Sequence, residues 1–424
     1  MSWIRDIVAE TVLADTHEHL VEESVRTSWV QGRRLPCDDW SLLFKTYVQD
    51  DLRCAGMGAA EEQRFYDPQV SPVEKFNLLL PFWERVQHTA YAQAVAYTIR
   101  ELYDIDSFSL KNVEELAEKY RQTRKPGFYQ HIIQGVCRIS ECQVNSVEKI
   151  YMETAQPSLL KQDLSIMELS RCSQADIKRV EAETGSKIDS FNDWLAAIDG
   201  YFERHGKGAI AVKYAGAYYR RLKFEHVERH MAEKYFATLT AERPFIGPEG
   251  SQALEDYLFH YCLARAEEYK LPVKLHTGYL ARRDFMQLSN VKANAADVCH
   301  LLQRYPGMRF ILMHIGYPYQ HEYISLAKQY KNVYVDLCWA WILNPFACTQ
   351  FLTEFVVTAP THKPLTFGGD YIIAENIVGH SVIARRGISE GLAALFERNW
   401  IGRDSVTELA ARLMHANAQE LFRK

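Results

Sequence analysis

His17 and His19 close the segment Val12-Leu13-Ala14-Asp15-Thr16-His17-Glu18-His19. On a β-strand, residues two apart point to the same face, so two imidazoles converge at the end of a buried strand. Neutral imidazole nitrogen is the commonest protein ligand for a transition metal. Four later apolar runs end in further residues of metal or proton-transfer type. Ala209-Ile210-Ala211-Val212 ends in Lys213, and Leu271-Pro272-Val273-Lys274-Leu275 in His276. Arg309-Phe310-Ile311-Leu312-Met313 ends in His314, and Leu365-Thr366-Phe367-Gly368-Gly369 in Asp370. Any one of these alone reads as a core histidine, a strand-end cap or a surface charge. Together they predict a metal centre assembled from several strand ends.

The elements that must position these residues follow from the same runs. Each is short, bounded by turn formers and rich in aliphatic or aromatic residues, as a fully buried parallel strand is. Between them lie long amphipathic segments such as 252–269 and 295–304. Strand alternating with helix is the pattern of βαβ units. Functional residues of a (β/α)8 barrel come from the C-terminal ends of several strands. We therefore expect an α/β chain folded as a (β/α)8 TIM barrel. Strands are expected at 12–19, 139–147, 164–169, 209–214, 273–277, 309–315, 333–337 and 364–369, after a short helix at 1–10 and before two short C-terminal helices within 405–424. From 20 to 138 the sequence has helical period, many aromatic and charged residues and no buried-strand run. This stretch is read as a large helical insertion after strand 1, within one domain spanning 1–424. It is expected to act as a lid, with Arg33, Arg34, Trp40 and Trp83 among its substrate contacts.

A barrel uses ~250 residues, and the chain has 424, so the excess agrees with such an insertion. The formal net charge of −5 gives no basis for expecting nucleic acid or an anionic membrane as partner. No apolar run is long enough to span a bilayer, and the N-terminal segment lacks the apolar stretch of a signal peptide. Nine cysteines without CxxC spacing argue against a cysteine-built zinc site and for reduced, mostly buried thiols, hence a cytoplasmic location.

In this order, the residues resemble the amidohydrolase superfamily: His-x-His on strand one, Lys or Glu on four, His on five, His on six, Asp on eight. The insertion after Asp15-Thr16-His17-Glu18-His19-Leu20 is similar to that of uronate isomerases. The stretch from Phe191-Asn192-Asp193-Trp194 through Lys213 to Tyr218-Tyr219-Arg220 resembles amidohydrolase-2 proteins of the nodulin/FluG type. His314 on strand six departs from the uronate isomerases. The resemblance implies a metal set of His17, His19, Lys213, His276, His314 and Asp370, holding one or two divalent ions, zinc first. It also implies Asp370 as ligand and proton acceptor, since a carboxylate's two oxygens can serve different tasks, and His314 as a catalytic group polarising a carbonyl. For Lys213 two readings stay open: a carboxylated lysine bridging two metals, or an ammonium paired with Asp370 or a substrate carboxylate. Arg220, Arg282 and Tyr317 are taken as substrate-binding, on the strength of arginine's fork at a barrel mouth and an aromatic wall that would include Tyr319, Trp339 and Trp341.

The expected function is a metal-dependent hydrolase acting on a C–N or C–O bond of a small polar substrate by metal-activated water. Bound zinc lowers the pKa of its water to ~7. The alternatives are a one-metal decarboxylase or sugar-acid isomerase on the same barrel, a metal-free Schiff-base enzyme using Lys213, and a metal-free binding protein. A homo-oligomer is expected.

Overall fold

The computed structural model describes residues 2–28, 35–241, 246–281 and 286–423. The strands are β1 Leu13–Glu18, β2 Ile139–Val144, β3 Leu160–Gln162, β4 Leu164–Ser165, β5 Val212–Tyr214, β6 Val273–His276, β7 Phe310–Met313, β8 Val333–Asp336 and β9 Pro364–Leu365. All neighbouring pairs run parallel, in two sheets ordered β1-β2-β3 and β4-β5-β6-β7-β8-β9. Nearly every strand residue is buried, because helices cover the outer face of a parallel sheet while its inner face packs on itself.

The two sheets meet at both edges. β3 and β4 are separated only by Asp163, whose N–H donates to the Val144 carbonyl at 2.8 Å, while Leu164 N–H donates to Ala211 at 3.0 Å. Across the other gap, Thr16 N–H donates to the Phe367 carbonyl at 3.0 Å and Asp370 N–H to the His17 carbonyl at 2.9 Å. These are isolated bonds rather than a regular ladder.

Most expected strands lie where the apolar runs put them, shortened at their ends. The third starts where expected, as β4 at Leu164–Ser165, but Leu160–Gln162 before it is already strand and Met167–Arg171, expected as its end, is helix. Gln162 and Asp163 break the apolar pattern there. Asp163 is tolerated inside because Lys274 Nζ reaches its two oxygens at 2.9 and 2.8 Å, with both side chains fully buried.

The segment between β1 and β2 is helical, with long helices at Pro72–Val86, Ala90–Tyr103 and Val113–Thr123. Ser71 and Thr89 cap the first two by accepting from Glu74 and Ala92 N–H. The segment has an apolar core of its own, including Trp40, Phe44, Phe65, Leu79, Trp83 and Tyr120. Trp40 and Trp83 are therefore interior packing, which corrects the expectation that they contact a ligand. Arg33 and Arg34 lie outside the described residues.

This segment is tied to the chain just beyond Asp370. Arg26 grips Glu375 through two hydrogen bonds of 3.0 and 2.6 Å, both side chains being buried. Asn376 Nδ2 donates to the Leu43 carbonyl at 3.1 Å, and Tyr47 Oη donates to the Asp370 carbonyl at 2.7 Å. Gly379, in the helix Glu375–Glu397, lets that helix meet Ala90–Tyr103 so closely that a Cβ would collide with the Ala94 carbonyl. The helical segment thus sits at the end of the strands that carries His17, His19 and Asp370. No helix among the described residues is long and apolar enough to cross a membrane.

Candidate metal centre

Four histidines, Lys213 and Asp370 come together at the C-terminal ends of the strands. His17 ends the inner face of β1, and His19 follows it on the same face. Their Nε2 atoms lie 3.2 and 3.1 Å from one oxygen of Asp370, Oδ1. Asp370 Oδ2 faces His314 Nε2 at 3.9 Å, and that same Nε2 is 3.1 Å from His276 Nδ1. Lys213 Nζ lies 3.5 Å from His17 Nε2 and 2.8 Å from Met313 Sδ. Apart from His19, which is 23% exposed, the group is buried.

The backbone is held in unusual conformations here. His314, Ile315, Cys338 and Asp370 have φ of 61, 46, 41 and 65°, in the left-handed region that side chains other than Gly, Asn and Asp seldom adopt. Such conformations persist where surrounding structure imposes them, and they cluster at functional sites. Gly278, at φ 77°, lies against the Gly316 backbone, where a Cβ would come within 2.6 Å. This contact packs together the turns that follow β6 and β7.

Burial governs the charges. It drives His17 and His314 well below the usual imidazole range and His276 down to about 3, so all three rings are neutral and have lone pairs to offer. Burial opposes ionisation of Asp370, yet His17 and His19 together hold its carboxyl well below the usual range. Lys213 is lowered by burial to about 8, partly offset by the Asp370 charge.

His17, His19 and Asp370 each bring one ligand atom within 4.8 Å of the others, and so do His314, Cys338 and Asp370. Two imidazoles and a carboxylate suit a borderline divalent ion. His17 Nδ1 is buried without a hydrogen-bond partner. His19 Nδ1 lies 2.7 Å from the Asn145 carbonyl, an outer contact that fixes the tautomer and leaves Nε2 free to ligate. The residues fit a divalent metal.

The sequence-derived substrate contacts fare less uniformly. Arg220 is 8% exposed and is held by Glu255 at 3.1 Å and Asp256 at 2.5 Å, so two internal carboxylates already occupy its fork. Tyr317 packs 6.4 Å from the Tyr279 ring, and its hydroxyl accepts from Asn344 at 3.4 Å. Arg282 lies outside the described residues. Trp339 does face the centre, 5.3 Å from the His314 ring and stacked on Tyr47 at 4.8 Å. Trp341 is instead packing, its indole donating to the Thr366 carbonyl at 2.7 Å. Sequence reasoning missed Cys338 and Tyr47. Cys338 follows β8 after Leu337, a strand-end position like those of the expected ligands.

The Thermotoga maritima uronate isomerase superposes with a TM-score of 0.78 at 15% identity, covering 99% of this chain and 96% of that one. The Caulobacter crescentus glucuronate isomerase gives 0.78 at 14% identity, covering 99% and 93%. At such identities these likenesses establish a shared fold. Protein fluG of Emericella nidulans is 37% identical over 89 residues, which is 20% of this chain and only 10% of fluG. A family model described as Amidohydrolase matches residues 139–424, a stretch that carries Lys213, His276, His314 and Asp370. The chain belongs to the amidohydrolase family.

Proposed function

We propose that the chain is a metal-dependent hydrolase cleaving a C–N or C–O bond of a small polar substrate. In this reading its two parallel sheets act as one (β/α)8 barrel, and residues 20–138 form a helical lid within a single domain. The observation that carries the reading is the convergence of His17 and His19 Nε2 on Asp370 Oδ1, at 3.2 and 3.1 Å. His17, His19 and Asp370 would hold a divalent ion, with Lys213, His276 and His314 beside it. When bound, such an ion polarises a carbonyl and lowers the pKa of water, to ~7 for zinc.

The residues supply the rest. Asp370, ionised and buried, accepts the proton of the attacking water and passes it to the leaving group, as a positioned general base does. Neutral His276 donates its Nε2–H to the Tyr279 carbonyl at 3.0 Å, so its Nδ1 accepts from His314 Nε2 at 3.1 Å. His314 is the one of the pair whose N–H can turn toward a developing oxyanion. Tyr47 holds the Asp370 backbone, and the helical segment excludes bulk water, which strengthens each electrostatic contact. Lys213, with part of its population neutral at pH 8, is available for carboxylation or for a substrate carboxylate.

The test is a panel of small amides, lactones and carboxylic acids, uronates included, on metal-replete protein. Hydrolysis that requires Asp370 supports the reading. Isomerisation of a uronate, or decarboxylation without hydrolysis, overturns the hydrolytic step.

A further inference from the structure

We propose an anion site at the opposite end of the strands from His17, His19 and Asp370. It is the cleft between the helices Ser2–Glu10 and Glu375–Glu397, and its ligand is a phosphate dianion, free or as the phosphoryl group of a small phosphomonoester. The cleft has a volume of about 480 Å³ and is lined by Arg5, Val8, Ala9, Arg385, Arg386 and Ser389. The inference goes beyond the proposed reaction and does not rest on it.

Arg385 anchors the cleft. Its Nη1 donates to the Val8 and Thr11 carbonyls at 2.6 and 2.7 Å, and its Nη2 to the Cys137 carbonyl at 3.0 Å. These carbonyls lie at the C-terminal ends of the helices that precede β1 and β2, where peptide dipoles leave unpaired acceptors and negative potential. The bonds hold the guanidinium in one place. Carbonyls bear only partial charge, so they do not cancel its full positive charge.

No counter-ion does so either. Among the described residues, neither Arg5 nor Arg385 forms an ion pair with a carboxylate. Burial pushes the Arg385 guanidinium down to about 10; the Cys137 thiol opposes that shift and Arg138 adds to it. Arg386 does have a carboxylate, Glu390 at 2.9 Å, but the two side chains are 68 and 37% exposed, and such a surface pair is weak. Asp6 and Glu10 on the first helix are exposed and do not line the cleft. In a chain of net charge −5, this is a concave patch of the opposite sign, and such a cleft concentrates counter-ions. The guanidinium fork matches phosphate oxygens in pairs. Two uncompensated charges with Arg138 beside them favour a dianion over a monocarboxylate, and the concave shape favours a small ligand over an extended surface.

Calorimetric titration of the full-length, metal-replete chain with inorganic phosphate tests this, with glycerol 3-phosphate as a second titrant. The expected result is about one phosphate per chain at this site, weakened at least about tenfold in Arg5→Gln/Arg386→Gln. Both of those side chains are exposed, and Arg385 stays in place to hold the backbone. Glu390→Gln releases Arg386 and should tighten binding by about threefold. Tighter binding of glycerol 3-phosphate assigns the site to a phosphomonoester, and tighter binding of inorganic phosphate assigns it to the free ion. Binding unchanged in both variants would mean an adventitious ion only, held elsewhere on the chain, and would overturn the site. So would the absence of binding at millimolar phosphate.

Discussion

Replacing Asp370 by Asn separates its chemical from its structural role. The residue sits at φ 65°, a conformation that Asn adopts nearly as readily as Asp and that Ala does not, so the turn after β9 survives. The Asn carbonyl oxygen can stand in for Oδ1 between His17 and His19, at 3.2 and 3.1 Å. The amide NH2 then replaces Oδ2, 3.9 Å from His314, and cannot accept a proton. Loss of a positioned general base costs roughly 10²–10⁴ in rate, or about 2.7–5.5 kcal/mol of transition-state stabilisation. The assay is kcat/KM on a verified substrate, with metal content and thermal unfolding measured on the same preparation. The expected outcome is a rate loss in that range, with the fold intact and metal retained. Turnover within threefold of wild type would refute the proton-acceptor role and leave Asp370 a structural residue.

Lys274→Met leaves Asp163 buried without its only described cation partner, and should destabilise by about 3–5 kcal/mol in chemical denaturation; a change under 1 kcal/mol would mean that Asp163 protonates at little cost. Burial pushes His380 down to about 3, a shift only partly offset by the backbone at Gly369 and Cys338. The unfolded chain therefore takes up the proton first, so its contribution is fully present above pH ~6.5 and declines as pH falls toward 3. His380→Leu should remove about 2 kcal/mol of the stability difference between pH 7.5 and 5; identical pH slopes in the two proteins would contradict this. Gly379→Val drives a side chain into the Ala94 carbonyl. It should cost about 1–3 kcal/mol and expose residues 20–138 to limited proteolysis, whereas wild-type resistance would show that the helical segment is anchored elsewhere.

The strand-end residues of the candidate site were legible because each follows an apolar run, and a parallel strand must bury both faces. His276 and His314 are found from their own few residues. What escaped depends on partners distant in sequence. β3 was missed because Gln162 and Asp163 are polar, and only Lys274, more than a hundred residues later, makes Asp163 a core residue. Arg220 reads as a free fork until Glu255 and Asp256 close on it. Trp40 and Trp83 read as ligand contacts because periodicity does not say that the helices around them build a separate core. Cys338 was passed over by a spacing rule that looks for cysteines in local pairs, whereas it lies near His314 and Asp370 from different strand ends.

The central claim is that two imidazoles at the end of β1 and one carboxylate after β9 hold a divalent metal. Elemental analysis of wild type and a His17→Ala/His19→Ala variant, purified without chelators, tests it most directly. The account predicts at least about one divalent ion per chain in the wild type and loss of that ion in the variant. Equal metal in the two proteins would contradict it.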